Sequence, residues 1–312
     1  MTETTKVILE KYQIRKTKKQ KTAFIEYIEQ IAARYGYDFR VEKESFGVRN
    51  IVIGDADNAK VIYTAHYDTC ARLPFPNFIT PKNFLVYLLY QFLIVGIFLV
   101  SAFLIGLVAG LILSVIPIAD GIVDFILSFL PVVVYLTLLY LLLAGPANKN
   151  TANDNTSGVT TVLDIMQALP QDQKHKVAFV LFDLEEPGLI GSSAFASKHK
   201  HIKKNSLVIN FDCVSDGETI LFALKKTTKK YAPLLEKAFV STPEMAVDIT
   251  KNAFYPSDNA AFQGGIGVSA LKKSKFFGVL YMDRIHTKKD VIYREENIRF
   301  LMNGAIKLTQ ML

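Results

Sequence analysis

The amino-acid sequence predicts an α/β fold, a three-layer sandwich with a mostly parallel, mixed central sheet and an inserted two-helix transmembrane hairpin. Over most of the chain, short apolar runs typical of buried strands alternate with segments whose apolar residues recur at helical spacing. Residues 83–119 and 125–148 contain no Asp, Glu, Lys or Arg, and about 20 apolar residues are enough to cross a bilayer. We therefore predict one discontinuous domain, residues 1–79 and 147–312, and a hairpin insert, residues 80–146.

The composition excludes several classes of protein. Of the 312 residues, 50% are hydrophobic and 21% are charged, so the chain is neither disordered nor collagen-like. The net charge of +7 does not indicate a nucleic-acid partner, because basic and acidic residues are interspersed and no aromatic-basic recognition motif is present. Two cysteines, Cys70 and Cys213, make no disulfide framework, which fits a reducing compartment. We expect both to be buried packing residues rather than thiolate ligands. The N-terminal residues lack the apolar core of a signal peptide, so none is expected.

Before the insert, the sequence predicts a helix, a hairpin and a buried strand. Apolar residues recur at helical spacing over residues 7–35, and Gly36 then ends the helix. Residues 38–55 alternate between apolar and polar, which predicts two antiparallel strands that turn near residues 44–47. Residues 59–68, AKVIYTAHYD, form an apolar run that closes in polar residues. We expect a buried strand there.

The insert predicts a helical hairpin in the cell membrane. Its link, residues 117–124, carries acidic residues and no Lys or Arg, whereas Arg72, Lys82 and Lys149 flank the hairpin. Because Lys and Arg concentrate on the cytoplasmic side, we expect two spans, with both termini and the remaining domain in the cytoplasm. The first apolar stretch exceeds a straight span, so it tilts or begins along the interface. The alternative, a hairpin buried in a soluble core, is disfavoured by the length of uncharged sequence.

After the insert, strand and helix patterns alternate. An N-cap at Thr156 or Ser157 begins the first helix of this part. The predicted helices cover residues 156–169, 189–199 and 233–240 and a C-terminal segment from Glu295, and the predicted strands cover residues 176–183, 206–212, 246–249, 266–271 and 277–281.

Acidic and imidazole side chains recur where the predicted strands end. His66 and Asp68 close one strand, Asp212 closes another, and Glu185 and Glu186 lie just beyond a third. In open α/β sheets, ligands bind beyond the carboxyl ends of the strands. These side chains therefore mark the place where a functional site is expected.

Two further residues extend this set. Asp154 precedes a predicted helix, and His286 follows a strand-like run. Carboxylate oxygens together with imidazole nitrogens suit zinc, or another divalent ion such as manganese or cobalt. Taken singly, each motif has an ordinary explanation, since Asp154 could simply stabilise the start of a helix. His175, His199 and His201 lie among lysines, and we expect them to be solvated.

Five short motifs stand in order along the chain: HYD at 66–68, DNTSG at 154–158, EEPGLIGS at 185–192, NFD at 210–212 and HT at 286–287. In this order they resemble the motifs of the co-catalytic di-zinc aminopeptidases. That family includes secreted bacterial leucyl aminopeptidases and is related to glutamate carboxypeptidases and glutaminyl cyclases. The resemblance covers nearly all of the chain outside the insert. It implies a zinc-exopeptidase-like fold in which the discontinuous domain is the catalytic domain.

The resemblance implies a site for two divalent metal ions, with Zn²⁺ expected. Asp154 would bridge the two ions, since a carboxylate can offer one oxygen to each. His66 and Asp212 would complete the coordination of the first ion, and Glu186 and His286 would complete that of the second.

The resemblance also implies roles beside the metals. Glu185 would be the general base, taking a proton from water and returning it to the leaving amine. Asp68 would hydrogen-bond the second imidazole nitrogen of His66 and fix its tautomer. The sequence SDNAAF resembles a family loop that frames the substrate pocket, which makes Ser257 and Asp258 candidate pocket residues.

The residues and the resemblance together predict a membrane-anchored, metal-dependent aminopeptidase that removes N-terminal residues from peptides. Soluble relatives have a short loop where this chain has the insert, so we expect the site near the bilayer and the substrates to be hydrophobic or membrane-associated peptides. Three alternatives stay open: a glutaminyl-cyclase-like transferase that uses one metal, a carboxypeptidase of the same family, and a catalytically silent membrane scaffold. The intact bridging Asp154 argues against the first, and the complete ligand and base set against the last.

Overall fold

The chain forms two units in the computed structural model, which describes residues 1–116, 120–275 and 278–312. One unit consists of Met1–Asn83 and Ala147–Leu312, and the other of Phe84–Pro146. The sequence places the start of the insert a few residues earlier and its end at the same residue.

The helices and strands before the insert are α1 (Glu3–Lys11), α2 (Lys18–Arg34), β1 (Phe39–Lys43), β2 (Arg49–Ile53) and β3 (Val61–His66). β1 and β2 form the predicted antiparallel hairpin. The prediction of one helix over residues 7–35 is wrong, because Thr17 begins a second helix. Its hydroxyl accepts the N–H of Gln20, and the Gln20 side chain accepts the N–H of Thr17. This reciprocal capping satisfies backbone donors that a continuous helix would not expose.

The insert contains two long apolar helices, α3 (Phe84–Leu113) and α4 (Asp120–Ala144). Both are long and apolar enough to cross a membrane, with mean hydropathies of 2.9 and 2.5 over their most apolar stretches. Only 22% of that stretch in α3 and none of it in α4 is buried, which differs from the core helices of a soluble domain. A Cβ on Gly106 would come within 2.9 Å of the Pro131 ring, so the two helices approach closely there. Of the predicted link, residues 117–119 lie outside the described residues.

The helices and strands after the insert are α5 (Gly158–Ala168), β4 (Val177–Phe182), α6 (Ile190–Lys198), α7 (Lys200–Asn205), β5 (Leu207–Phe211), β6 (Thr219–Ala223), α8 (Ala232–Ala238), β7 (Ala246–Thr250), β8 (Gly265–Lys273), β9 (Leu280–Tyr281) and α9 (Glu295–Met311). The sequence prediction omits β6. Residue 277, where the last strand was expected to begin, lies outside the described residues.

Ser157 occupies the N-cap position of α5, as expected, but its side chain makes no capping hydrogen bond. Ser157 already has helical backbone angles, and its hydroxyl donates to the carbonyl oxygen of Asn153. The N–H of Gly158 is instead accepted by Asn155 Oδ1. The polar side chains of this segment therefore stabilise the loop that leads into α5.

The central sheet is mixed, as predicted, and its described strands form four parallel and four antiparallel pairs. Its described strands lie in the order β1-β2-β4-β3-β5-β8-β6-β7, and β9 pairs with β8. The inner strands β4, β3, β5 and β8 run parallel to one another. Buried residues of β3 alternate between the two faces: Tyr63 packs in the cluster that includes α5 and α9, and Ile62 in the cluster that includes α6. Helices thus cover both faces of the sheet, which confirms the three-layer α/β architecture.

Candidate metal centre

Three neighbouring strands end at one edge of the sheet and carry much of the candidate site. His66 is the last residue of β3, Asp212 directly follows β5, and Glu185 and Glu186 follow β4 within a few residues. β3 pairs in parallel with both β4 and β5, so the three carboxyl ends lie side by side. The apolar pattern of these strands therefore fixes where four polar side chains meet.

Asp154 lies between two histidines. Its Oδ1 is 3.3 Å from His66 Nε2, and its Oδ2 is 2.9 Å from His286 Nε2. Asp212 Oδ1 is 3.5 Å from the same atom of His66, and Glu186 Oε2 is 3.2 Å from the same atom of His286. Two sets of donor atoms therefore share one carboxylate, in the arrangement that the sequence motifs imply.

Among the described residues, potential metal-ligand atoms gather in two main groups, and within each group all atoms lie within 4.8 Å of one another. The first group is Cys70, Asp154, Glu186 and His286, and the second is His66, Glu185 and Asp212. A third, smaller group joins Asp154 and Asp212 to Cys213. The structure thus brings together the five residues expected to hold metal and the expected base.

The charge balance of this cluster fits bound cations. Burial, reinforced by neighbouring carboxylates, raises the pKa of Glu185 and of Glu186 well above the ordinary value. Burial alone lowers the pKa of His66, but the surrounding carboxylates outweigh it and raise that pKa well above its usual range. Glu186 Oε1 is buried and has no hydrogen-bond partner among the described residues. Carboxylate oxygens and imidazole nitrogens are the ligands that zinc accepts, so the donor set fits a divalent cation on each side of Asp154.

Asp68 connects His66 to the Glu185–Glu186 loop. Its Oδ1 lies 3.5 Å and its backbone oxygen 3.2 Å from His66 Nδ1. The same carboxylate accepts the N–H of Glu185 at 3.0 Å and the N–H of Glu186 at 3.3 Å. Burial raises the pKa of Asp68, but its contacts with His66 outweigh burial and lower it. Asp68 therefore stays ionised and orients one imidazole and two backbone groups.

Asp290 is a site residue that the sequence motifs do not reveal. It is almost fully buried, and its two carboxylate oxygens accept the N–H groups of Asn153 and Asp154 at 2.7 and 3.0 Å. Burial, together with the charge of Asp154, raises its pKa well above the usual range. Asp290 lies four residues after His286 in the sequence. Its hydrogen bond to the backbone of Asp154 becomes visible only in the folded structure.

Arg15 is a second residue that sequence reasoning missed. Its side chain is fully buried. Its Nε donates to the Tyr67 carbonyl oxygen at 2.5 Å, its Nη1 to Thr156 Oγ1 at 3.2 Å, and its backbone N–H to Thr69 Oγ1 at 3.0 Å. Burial lowers its pKa to about 10, so the guanidinium keeps its charge at neutral pH. Arg15 therefore places a positive charge behind the loops that carry His66 and Asp154.

The two expected pocket residues, Ser257 and Asp258, are both buried. Ser257 Oγ donates to Asp212 Oδ2 at 2.6 Å and accepts from Asn210 Nδ2 at 2.9 Å. Burial raises the pKa of Asp258 to about 7, and its carboxylate oxygens have no hydrogen-bond partner among the described residues. The structure therefore places Ser257 against a proposed metal ligand and buries the carboxylate of Asp258.

Both cysteines are free and buried, as expected. Burial raises the pKa of each thiol well above the usual value, which favours the uncharged form. Cys70 nevertheless lies within ligand distance of the His286 group.

The expectation that three other histidines are solvated holds for His175 and His201, which are exposed, but is wrong for His199. The His199 side chain is only 12% exposed, and its Nε2 lies 2.9 Å from Glu42 Oε2. Its ring also packs against Phe195 with 4.3 Å between ring centroids. The neighbouring lysines in the sequence hide this packed, paired position.

Comparison with known proteins shows the family and the fold of the chain. The sequence profile described as Peptidase family M28 matches residues 139–306, more than half of the chain. No curated protein sequence matches. The Legionella pneumophila LapA aminopeptidase structure is 14% identical with a TM-score of 0.57, over 99% of this chain and 67% of that chain. Porphyromonas gingivalis glutaminyl cyclase is 14% identical with a TM-score of 0.59, over 99% and 97%.

A leucine aminopeptidase precursor from Bacteroides thetaiotaomicron is 13% identical with a TM-score of 0.55, over 97% of this chain and 93% of that chain. At these identities the solved structures show a shared fold, while the profile match shows the family. The resemblance that the five motifs carry is therefore confirmed, and the chain belongs to peptidase family M28.

Proposed function

We propose that this protein is a membrane-anchored, zinc-dependent aminopeptidase that removes N-terminal residues from peptides. Membership of the M28 family makes it a metal-dependent peptidase or a glutaminyl-cyclase-like enzyme. The observation that carries the finer proposal is the position of Asp154, whose two oxygens face His66 and His286 separately. A carboxylate shared in this way suits a two-metal hydrolase.

In this proposal, His66 and Asp212 would hold one zinc ion, Glu186 and His286 would hold the other, and the Asp154 carboxylate would contribute to both. Two such cations supply Lewis acidity, which polarises a peptide carbonyl and makes water more acidic.

Glu185 acts as the general base. It accepts a proton from the attacking water and donates it to the departing amine, a kind of transfer that typically contributes about 10²–10⁴-fold to the rate. Its backbone N–H is fixed by Asp68 Oδ1, and burial favours its protonated form. Both features suit a group that gains a proton and then returns it.

The insert anchors the enzyme as a two-span protein of the cell membrane, with both termini and the catalytic domain in the cytoplasm. Two apolar helices of sufficient length support the anchor. The flanking basic residues Arg72, Lys82 and Lys149 support the orientation. The substrates are then hydrophobic or membrane-associated peptides that the enzyme meets beside the bilayer.

The test combines metal analysis with turnover of amino-acid arylamides by the wild-type chain and by Glu185→Gln. We expect bound zinc in both and a loss of turnover in the variant of about 10²-fold or more, because the proton acceptor is gone while the ligands remain. An Asp212→Asn variant, which alters a ligand, should lose metal as well as turnover. Full turnover by Glu185→Gln would remove Glu185 from its role. A wild-type chain that binds metal but cleaves no arylamide or peptide would favour a silent scaffold.

A second candidate function is cyclisation of N-terminal glutamine by a single-metal transferase. The likeness to Porphyromonas gingivalis glutaminyl cyclase, over 97% of that chain, favours it. Incubation with a Gln-initiated peptide separates the two activities, because cyclisation releases ammonia and keeps every residue, whereas an aminopeptidase releases free glutamine. Cleavage of N-acetylated peptides from the other end would instead indicate a carboxypeptidase.

A further inference from the structure

A basic cavity lies beside the loop that carries His286, since the next three residues line it. Its volume is about 340 Å³, and Arg72, Lys288, Lys289 and Asp283 are the charged residues in its lining. Thr287 and Phe75 also line it. The three basic residues are exposed, so their side chains can reach a solute that enters from solvent.

The positive charge of this cavity is not neutralised by the protein. Asp283, its single acidic lining residue, forms an ion pair with Lys272. Within the described part of the chain, no carboxylate lies within ion-pair distance of Arg72, Lys288 or Lys289, although several other basic residues have such partners. The cavity therefore presents a net positive surface to whatever fills it.

The cavity is connected to the metal centre through the backbone. Thr287 directly follows His286, and the N–H of Leu73, another lining residue, donates to the His286 carbonyl oxygen at 2.7 Å. The segment that contains Arg72 begins only a few residues after Asp68, which orients His66. The cavity is therefore lined by the two chain segments that directly adjoin His286 and Asp68.

We propose that this cavity binds a carboxylate group of the peptide substrate, an inference that rests on the peptidase function proposed above. A carboxylate there would meet two or three cations while the apolar ring of Phe75 packs against the carbon atoms that bear it. The carboxylate comes either from the C-terminus of a short peptide or from an acidic side chain near its N-terminus. The first source would select short peptides, and the second would select peptides with an acidic residue near the N-terminus, whatever the hydrophobicity of their other residues.

The experiment compares kcat/KM for matched peptide pairs that differ in one carboxylate. The pairs are Leu-Leu against Leu-Leu-amide, Glu-Leu-amide against Gln-Leu-amide, and Leu-Glu-amide against Leu-Gln-amide. We expect a preference on the order of tenfold for the acid in at least one pair, since tenfold corresponds to about 1.4 kcal/mol and charged hydrogen bonds contribute that much. The pair that shows the preference identifies the source of the carboxylate.

Variants then assign the preference to the cavity. A chain with Arg72→Gln, Lys288→Met and Lys289→Met should lose the preference and keep its kcat/KM on the amide. The single Lys288→Met and Lys289→Met chains should lose part of it, which guards against a folding defect in the triple variant. Lys229→Met removes an exposed lysine elsewhere on the same domain. It should leave kcat/KM unchanged for both the acid and the amide. A preference that survives the triple variant would overturn the proposal.

Equilibrium binding separates this inference from the peptidase function. Zinc-loaded Glu185→Gln protein, with and without the three cavity substitutions, is titrated calorimetrically with the same pairs. Acid and amide that bind equally well in every pair would overturn the carboxylate site, even if the wild-type enzyme cleaves peptides. Preferential binding of the acid, without cleavage of any peptide by the wild-type chain, would contradict the peptidase proposal and support the site.

Discussion

At the scale of single residues, the candidate site depends on buried acids that hold backbone groups as well as on the proposed ligands. Asp68 accepts two backbone N–H groups of the Glu185–Glu186 loop, and Asp290 accepts two from the loop of Asp154. Each acid fixes a segment whose side chains point different ways. Removal of such an acid leaves buried donors without partners, which typically costs about 1–3 kcal/mol for each group.

We predict that Asp290→Ala weakens metal binding, because the N–H groups of Asn153 and Asp154 lose their acceptors and the proposed bridging carboxylate loses its fixed position. The zinc affinity, measured by competition with a chromophoric chelator, should fall by about tenfold or more, in line with the effect of residues that orient metal ligands. Asp290→Asn keeps one acceptor oxygen, so its zinc affinity should lie between those of the wild type and of Asp290→Ala. Wild-type affinity in Asp290→Ala would show that the loop keeps its shape without Asp290.

Asp164, on α5, predicts a dependence of stability on pH. Burial raises its pKa from 3.8 to about 6, although the Thr2 hydroxyl donates to it at 3.0 Å. Because the folded state holds this proton more tightly than the unfolded state, the stability that it contributes is complete below about pH 4. This stability is lost as the pH rises through about 6. The loss is at most about 3 kcal/mol, since each unit of pKa difference between the folded and unfolded states corresponds to about 1.36 kcal/mol.

Asp164→Asn should therefore match the wild type at pH 4 and unfold at a higher temperature than the wild type at pH 8. Thermal unfolding of the detergent-solubilised chain at both pH values tests this. Asp172→Asn, at an exposed aspartate, is the matched control. It should leave the difference in unfolding temperature between pH 4 and pH 8 as it is in the wild type. The prediction would be contradicted if the unfolding temperature changed equally between pH 4 and pH 8 in the wild type and in Asp164→Asn.

At the scale of elements, the strand ends were predictable and the loop supports were not. His66 and Asp212 could be placed because apolar runs show where β3 and β5 end. β6 was missed, and one helix was predicted where Thr17 and Gln20 start a second, although their spacing is itself a capping signal. Arg15 and Asp290 carry no local pattern, since the loops of His66 and Asp154 that they support lie far away in the chain. The roles of the ligands and of Glu185 remain predictions.

Lys225 supports the short helical turn that begins at Asp258. Its Nζ donates to the carbonyl oxygens of Asn259, Ala260 and Phe262 at 2.7, 3.1 and 2.5 Å. Lys225→Met keeps the apolar stem and removes all three bonds, so we expect a loss of about 1–3 kcal/mol in unfolding free energy and a raised KM. Thermal unfolding and steady-state kinetics measure the two effects.

The adjacent, exposed Lys226 provides the matched control, and Lys226→Met should behave as the wild type. Equal behaviour of the two methionine variants would show that the turn does not depend on Lys225.

At the scale of the whole molecule, the insert interrupts the chain without interrupting the catalytic unit. Ala71 and Ala147 form a β-bridge, and the Asn148 N–H donates to the Cys70 carbonyl oxygen at 3.1 Å. The segments on the two sides of the insert are thus tied together inside one unit. This arrangement explains how a short loop could replace the apolar helices while the proposed metal ligands keep their positions.

We predict that a Gly-Ser loop in place of residues 80–146 preserves turnover of a soluble peptide and lowers turnover of a lipid-embedded peptide. The loss should be about tenfold or more, because a membrane anchor raises the effective concentration of enzyme at its substrate. Metal content checks that the shortened chain still folds. Equal loss on both peptides, or no loss on either, would contradict a role in reaching membrane substrates.

The place of β3 in the sheet also sets an order of events during synthesis. β3 lies between β4 and β5, and both of these partners follow the apolar helices in the chain. During translation, the two apolar helices are therefore synthesised while β3, which bears His66, still lacks both of its neighbouring strands. Translation must pass His286 before the full set of proposed ligands exists, so we expect metal to bind only after both apolar helices have been synthesised.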